Sequence, residues 1–297
     1  MGISGVFPPI ATPFDGDGRV DGAALAHNIR LWDETGLTGY VVAGSNGESA
    51  LLEPDEVVAL TRLARQAAGP GKLVITGTGL QSTRATIDLT RAVAEAGADA
   101  ALVMTPSFFG AQVNDAAMVR HYEAVADASP VPVLAYNVPK FTHLNLAPET
   151  VARMAPHPNL VGVKDSAGDI GQLINLRRLC PPDFSVLIGN AGAYLSGLQI
   201  GADGGILALA NVAPRECVAI RDLVVAGRAA EAARVQFRMM PVARAVTTAY
   251  GIAGLKAALD LLGYRGGDPR PPLMPADEAM RGAIRRMSDQ ATSEYKE

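Results

Sequence analysis

Cysteine is scarce in this chain, with Cys180 and Cys217 the only two among 297 residues. They are too few for a disulfide framework and too far apart for a zinc site of C-x-x-C spacing, so both are expected as buried thiols. The four histidines, His27, His121, His143 and His157, lack H-E-x-x-H or facial-triad spacing. No metal is implied, and solvent-facing or supporting roles are expected of them. Excess positive charge is missing as well. A formal net charge of −4 and a pI near 5.6 leave no electrostatic footprint for nucleic acid. No Lys/Arg cluster is dense enough to coat an anionic membrane. The N-terminus has no basic segment before an apolar run, and Val6 stands where a myristoylation signal needs Ser or Thr. A cytoplasmic protein is expected. Low-complexity tracts and short-period repeats are also absent.

What is present describes a globular α/β protein. Apolar residues make up 48% and charged residues 19% of the chain, enough to build a sizeable core rather than a disordered coil. Short β-branched runs alternate with longer helical patterns, the sequence form of repeated βα units. The expected strands are Val6–Thr12, Gly39–Ala43, Leu73–Thr76, Ala100–Thr105, Val131–Tyr136, Leu160–Lys164, Ser185–Ile188 and Gly205–Ala208. Eight is the number of the closed barrel, and near-continuous apolar strands suit a parallel sheet buried on both faces. An open doubly wound sheet would more often carry a glycine-rich fingerprint after its first strand, and none is present. Between the strands lie amphipathic segments such as Asp21–Thr35, Pro54–Ala68, Ser82–Ala96 and Asp115–Ala128. Beyond the eighth strand the pattern is purely helical, over Pro214–Ala226, Ala229–Ala245, Ile252–Leu262 and Pro275–Met287. Gly263–Pro275 reads as a surface loop. The fold class expected is therefore α/β, a (β/α)8 TIM barrel with a C-terminal helical extension. Residues 1–213 form the barrel core, and 214–297 the last barrel helix and the extension.

In such a barrel, catalytic groups sit at the C-terminal ends of strands and in the loops that follow. Lys164 comes straight off a buried apolar strand, Asn159-Leu160-Val161-Gly162-Val163-Lys164. Desolvation there disfavours an ammonium and favours the neutral amine that a carbonyl-attacking lysine needs. The competing reading is a structural ion pair with Asp165, and spacing alone leaves the two open. Among the other lysines, Lys72 precedes a strand at the opposite end, Lys140 and Lys296 read as exposed, and Lys256 lies inside a tail helix. Tyr136 ends the neighbouring strand, where its phenol could shuttle protons or simply complete the core. The turn Gly44-Ser45-Asn46-Gly47-Glu48 offers backbone N–H groups and short polar side chains for a carboxylate. Glu48 itself reads as a base or, better, as a hydrogen-bonded support of that turn.

These residues converge on a known family. Gly44-Ser45-Asn46-Gly47-Glu48, Thr105-Pro106, Tyr136-Asn137-Val138-Pro139, Val161-Gly162-Val163-Lys164-Asp165-Ser166 and Gly204-Gly205-Ile206 together resemble the dihydrodipicolinate synthase/N-acetylneuraminate lyase superfamily, in order and over essentially the whole chain. The resemblance implies a barrel with C-terminal helices, a homo-oligomer (tetramer or dimer), and a 2-oxo acid such as pyruvate bound as a lysine imine with no added cofactor. It implies that Lys164 is the Schiff-base lysine, Tyr136 the proton relay and Ser45 and Asn46 the carboxylate holders, with the Ile206 backbone lining the pocket. Ser166, Gly189 and Asn190 fall where relatives contact the remainder of the substrate.

Within the superfamily, the turn with Asn46, the stretches Gln81–Thr86 and His157–Asp169, and the tail Gly251–Lys256 look most like 4-hydroxy-2-oxoglutarate aldolases. Phe141 stands where dihydrodipicolinate synthases carry an arginine that grips the aldehyde substrate. Two features depart from the aldolases. Phe108-Phe109 lacks the tyrosine that usually enters a neighbouring subunit's relay, so the relay ends in water or Ser45. His143 replaces a common glycine. With Phe109 and Phe141, it is expected to make the distal pocket bulky and apolar, suited to a hydrophobic or aromatic aldehyde. The activity expected is a class I aldolase reaction on a 4-hydroxy-2-oxo acid. The alternatives are a keto-deoxy sugar-acid dehydratase, a dihydrodipicolinate synthase-like condensing enzyme, or a weakly catalytic 2-oxo-acid-binding regulator.

Overall fold

The structure is a computed structural model that describes residues 2–293. Its described residues form eight parallel strands and twelve helices. In chain order these are β1 (Gly5–Phe7), α1 (Gly22–Asp33), β2 (Gly39–Val42), α2 (Pro54–Ala67), β3 (Leu73–Gly77), α3 (Thr83–Glu95), β4 (Ala100–Met104) and α4 (Asp115–Ala128). There follow β5 (Val133–Asn137), the short α5 (Pro139–Thr142) and α6 (Pro148–Met154), β6 (Leu160–Asp165), α7 (Ile170–Leu179), β7 (Ser185–Ile188), α8 (Tyr194–Gln199) and β8 (Gly204–Ile206). The chain ends in α9 (Pro214–Val225), α10 (Ala229–Arg244), α11 (Gly251–Leu261) and α12 (Glu278–Ser293). Side-chain oxygens of Asp21, Ser82, Asn114 and Asp169 cap α1, α3, α4 and α7, satisfying backbone N–H groups that have no acceptor inside the helix.

Strands β2 to β8 pair in sequence order and β8 pairs with β1. The ring closes through backbone bonds from Thr38 N–H to Val6 O, Val41 N–H to Pro8 O and Ile10 N–H to Val41 O. The expected (β/α)8 barrel is thus present; β5 begins at Val133 rather than Val131, and the first and last strands are shorter than expected. The first strand was expected over Val6–Thr12 but is regular only to Phe7, because Pro8 and Pro9 have no N–H to donate to a ladder. Pro9 makes only an isolated bridge to Val41. The last was expected to reach Ala208, yet Ala208 opens a 3-10 turn running to Asn211. At the β1–β8 seam, a Cβ on Gly204 would lie 1.9 Å from the Gly5 carbonyl oxygen, so the backbones can approach only as glycine.

Alternation along the strands separates two cores. Phe7, Val41, Ile75, Ala100, Leu102, Leu134, Tyr136, Leu187 and Ile206 fill the lumen. Their strand neighbours Val42, Val74, Ala101, Val103, Val133 and Ala135 pack outward on the helix layer, with Trp32, Leu60 and Tyr122 among its largest side chains. No described helix is long and apolar enough to cross a membrane.

The C-terminal helices pack on the barrel flank, α10 against α8 and α9, and α12 against α10 and α11. Their bounds differ from expectation by a residue at most ends, and α12 runs on to Ser293 rather than Met287. After Arg244 the helix widens into a π turn over Ala245–Ala249, where Thr247 Oγ1 donates back to the Ala243 carbonyl at 2.6 Å. Helix α12 begins at Glu278 rather than Pro275, because Asp277 Oδ1 accepts the Met280 N–H. The expected exposed Lys296 lies outside the described residues.

Candidate active site

Lys164 and Tyr136 are register partners on β6 and β5, at the C-terminal end of the lumen. Both are buried, at 3% and 4% exposure. The Lys164 Nζ lies 4.0 Å from the centroid of the Tyr136 ring. The Tyr136 hydroxyl meets Ser45 Oγ at 3.2 Å, which joins β5 to the turn after β2. A cavity of about 30 Å³ opens beside this pair, walled by Val57, Leu80, Leu89 and Met104. That is room enough for ordered water.

Asp165 does not pair with Lys164. Successive strand residues project to opposite faces, and Asp165 turns outward into a ring of amides. Its Oδ2 accepts from Asn137 Nδ2 at 2.7 Å and Gln172 Nε2 at 2.6 Å, and its Oδ1 from the Ala167 N–H at 3.1 Å. Asn145 closes the ring through Asn137 and Gln172. Burial, opposed by these hydrogen bonds, pushes the Asp165 carboxyl above the usual carboxylate range. Among the described residues no carboxylate stands within ion-pair distance of Lys164, which disposes of the structural ion pair that spacing had left open.

The turn after β2 is held in an unusual backbone path. Ala43 and Glu48 both have positive φ, 49° and 61°, on either side of the 3-10 turn Ser45–Gly47. Thr12 Oγ1 donates to the Gly47 carbonyl at 2.7 Å. Ser45 and Asn46 are half-buried on this turn. Glu48 is neither a free base nor a support hydrogen-bonded within the turn. One carboxylate oxygen lies 2.7 Å from Lys256 Nζ, and the other accepts the Arg270 N–H at 2.8 Å. Lys256, read from sequence only as a tail-helix residue, is fully buried. Desolvation pulls it below the ordinary lysine value, with Glu48 opposing. A lysine at the centre of Gly254-Leu255-Lys256-Ala257-Ala258-Leu259 was the available signal.

The other expected residues divide into those at the lumen and those at the mouth. Ile206 is a lumen residue with no exposure. Ser166 Oγ is buried without a hydrogen-bond partner among the described residues. A Cβ on Gly189 would stand 1.8 Å from that oxygen, so glycine is required there. Asn190 is exposed, and its side-chain oxygen caps the following turn through the Gly192 N–H at 2.8 Å. Phe109 and Phe141 stand at the mouth with 64% and 56% exposure, not inside a closed pocket. The Phe108 and Phe109 rings meet edge to face at 5.0 Å, and the Ser107 and Phe108 N–H groups both donate to Gln81 Oε1. His143 is exposed and left-handed at φ 55°, where it caps α5. That conformation is one that glycine adopts without a Cβ penalty. His121 departs from the expected exposure. It is buried in α4 with Nδ1 2.9 Å from Thr83 Oγ1, and burial lowers its pKa to about 4. Among the described residues no group of three His, Cys, Asp or Glu side chains could hold a metal ion.

Residues 2–291 match the model of the dihydrodipicolinate synthetase family. The chain is 35% identical over 290 residues to a 4-hydroxy-tetrahydrodipicolinate synthase from Methanothrix thermoacetophila, covering 96% of this chain and 97% of that one. It superimposes on the crystal structure of the dihydrodipicolinate synthase DapA-2 from Bacillus anthracis with TM-score 0.93 and 30% identity, over 97% of this chain and 99% of the other. YagE, an Escherichia coli K12 prophage protein of the dihydrodipicolinic acid synthase family crystallised with pyruvate, matches with TM-score 0.92 and 29% identity, over 98% and 99%. The first two carry the synthase name, not the aldolase name suggested by the Asn46 turn and the tail motif. Fold, motif order and similarity over the full length agree that the chain belongs to the dihydrodipicolinate synthetase family, pyruvate-dependent lyases and synthases that act through a lysine Schiff base without an added cofactor.

Proposed function

We propose that the protein is a class I aldolase that cleaves or forms a 4-hydroxy-2-oxo acid with pyruvate as the donor, Lys164 being the imine-forming residue. The observation that carries this reading is the buried Lys164 Nζ beside Tyr136, with Asp165 committed to its own amide ring. The neutral amine attacks the 2-oxo carbon, and Tyr136 moves the protons that convert the carbinolamine to a protonated imine and water. Breaking the C3–C4 bond sends its electron pair into the imine, and the C4 hydroxyl loses its proton as the aldehyde leaves. The remaining enamine takes a proton at C3 and is hydrolysed to pyruvate and free Lys164. Ser45 and Asn46 hold the C1 carboxylate, and the Ile206 backbone lines the pocket behind it. Ser166, Gly189 and Asn190 contact the distal part of the substrate. At the mouth, the exposed rings of Phe109 and Phe141, with His143, offer surface that favours an apolar or aromatic aldehyde. The working form is a cytoplasmic homo-oligomer, a tetramer or dimer.

A second reading has a specific observation behind it, namely the synthase name carried by the relative from Methanothrix. It keeps the imine and condenses pyruvate with a four-carbon aldehyde that carries an amine and a carboxylate. The enamine carbon adds to the aldehyde, the amine displaces Lys164 from the imine carbon to close the ring, and 4-hydroxy-tetrahydrodipicolinate and one water result. A panel of 4-hydroxy-2-oxo acids with distal carboxylate, alkyl and aryl groups, assayed for pyruvate release, separates the two. Pyruvate release with kcat/KM above the rate of 4-hydroxy-tetrahydrodipicolinate formation supports the aldolase. Dominant condensation, or a single dehydrated 2-oxo acid as product, overturns it.

A further inference from the structure

The carboxylate-holding turn is gripped from outside the barrel. Glu48, its last residue, is buried and left-handed, and its two carboxylate oxygens face Lys256 Nζ from α11 and the Arg270 N–H from the loop after it. Lys256 Nζ also donates to the Asp268 carbonyl at 2.9 Å, and it stands 4.4 Å from the Phe14 ring centroid. The Arg270 guanidinium lies 4.3 Å from the same ring. That guanidinium meets both Glu56 carboxylate oxygens at 2.7 Å and donates to the Leu51 and Gly18 carbonyls at 2.7 Å. Glu48, Leu51 and Glu56 span the segment that begins at the turn and ends in α2. Two cations from the C-terminal extension therefore hold that segment at both ends.

A buried lysine–glutamate pair is by itself a weak source of stability. Burying a lysine and a glutamate exacts a large desolvation penalty, and an apolar pair of similar volume would commonly be as stable or more so. What a buried ion pair of this kind adds is a single geometry. Here that geometry is applied to a turn whose flanking residues, Ala43 and Glu48, sit in left-handed backbone conformations that a relaxed loop would leave.

We propose that Glu48, Lys256 and Arg270 are positioning residues for substrate binding, so that α11 and the 263–275 loop belong to the pyruvate site although they touch no reacting atom. The proposal rests on the reading of Ser45 and Asn46 as carboxylate holders. If their turn relaxes, the substrate carboxylate loses its seat while Lys164 and Tyr136, on β6 and β5, keep theirs. Binding of the 2-oxo acid should suffer, and imine chemistry at saturation should not.

The test uses the full chain and pyruvate with borohydride, following the trapped adduct by intact mass as pyruvate is raised. Arg270→Ala removes a partly exposed guanidinium and leaves the core filled. Its half-saturating pyruvate concentration is expected to rise about 10-fold, within the loss that a misplaced group causes, while the adduct yield at saturation equals wild type. Arg270→Lys should recover part of the loss, and Lys256→Met should exceed it. Because Lys256→Met empties a buried charge pair, its far-UV circular dichroism and melting are measured first. If it fails to fold, the two Arg270 variants decide. Unchanged half-saturation in folded Arg270→Ala, or a fall in saturating yield with half-saturation unchanged, overturns the proposal. Failure of the underlying reading looks different, since wild type would then trap no adduct or would show no dependence on Ser45 and Asn46.

Discussion

The Tyr136 hydroxyl and Ser45 Oγ lie 3.2 Å apart, a hydrogen bond that joins the ends of β5 and β2 above the lumen. With phenylalanine at both 108 and 109, that pair offers no phenol to extend the chain, so the proposed mechanism passes the Tyr136 proton to Ser45 or to a water in the neighbouring cavity. Tyr136→Phe is expected to lower kcat by roughly 10²- to 10⁴-fold, the usual worth of a general acid–base group. Ser45→Ala should lose about 10-fold, as for one neutral hydrogen bond. Steady-state pyruvate release measures both. A Tyr136→Phe enzyme within a factor of two of wild type would remove the phenol from the mechanism.

The ring of Asn137, Asp165, Gln172 and Asn145 ties β5, β6 and α7 together one residue beyond Lys164. Asp165→Asn replaces an acceptor oxygen with a donor in a site where three donors converge. Leaving a buried partner unsatisfied costs about 1–3 kcal/mol, and urea unfolding should show that loss. Lys164 shares the strand, so kcat should fall as well. Unaltered stability would mean that the ring can be rebuilt around an amide.

His121 supplies a pH dependence of stability. Burial takes it from 6.5 to about 4 in the folded protein. The unfolded chain therefore gains a proton near pH 6.5, and the folded one only near pH 4. The contribution is whole above pH 6.5, is lost as pH falls from 6.5 to 4, and changes no further below that. Its full size is roughly 3 kcal/mol. Urea midpoints measured from pH 7 to 4 should fall less steeply for His121→Gln than for wild type, and parallel curves would contradict the assignment.

His143 occupies a left-handed position at the end of α5. Such a conformation costs a side-chain-bearing residue about 1 kcal/mol that glycine is spared. His143→Gly is expected to raise the melting temperature by roughly 2 °C, as for a gain of that size in a large domain. A lower melting temperature would indicate contacts of the imidazole that outweigh the strain.

Most of the barrel was legible in the sequence because buried parallel strands read as apolar runs bounded by glycine and proline. The lumen-facing Lys164 and Tyr136 could be picked out for the same reason, as polar residues ending such runs. Alternation also contained the answer to the Asp165 question, since neighbouring strand residues cannot share a face. The first strand was overextended because Pro8 and Pro9 look apolar yet cannot sustain a ladder. The Glu48–Lys256 pair escaped notice because its partners are 208 positions apart, and side-chain pairing over that distance follows from how α11 packs. Burial of His121 was likewise a matter of helix packing, invisible to motif spacing.

Borohydride reduction in the presence of pyruvate, read by intact mass and peptide mapping, tests the central claim most directly. A single pyruvate-derived adduct on Lys164, absent from Lys164→Ala, is the expected result. No adduct in wild type, or one that persists in Lys164→Ala, would contradict the assignment of Lys164 as the imine-forming residue.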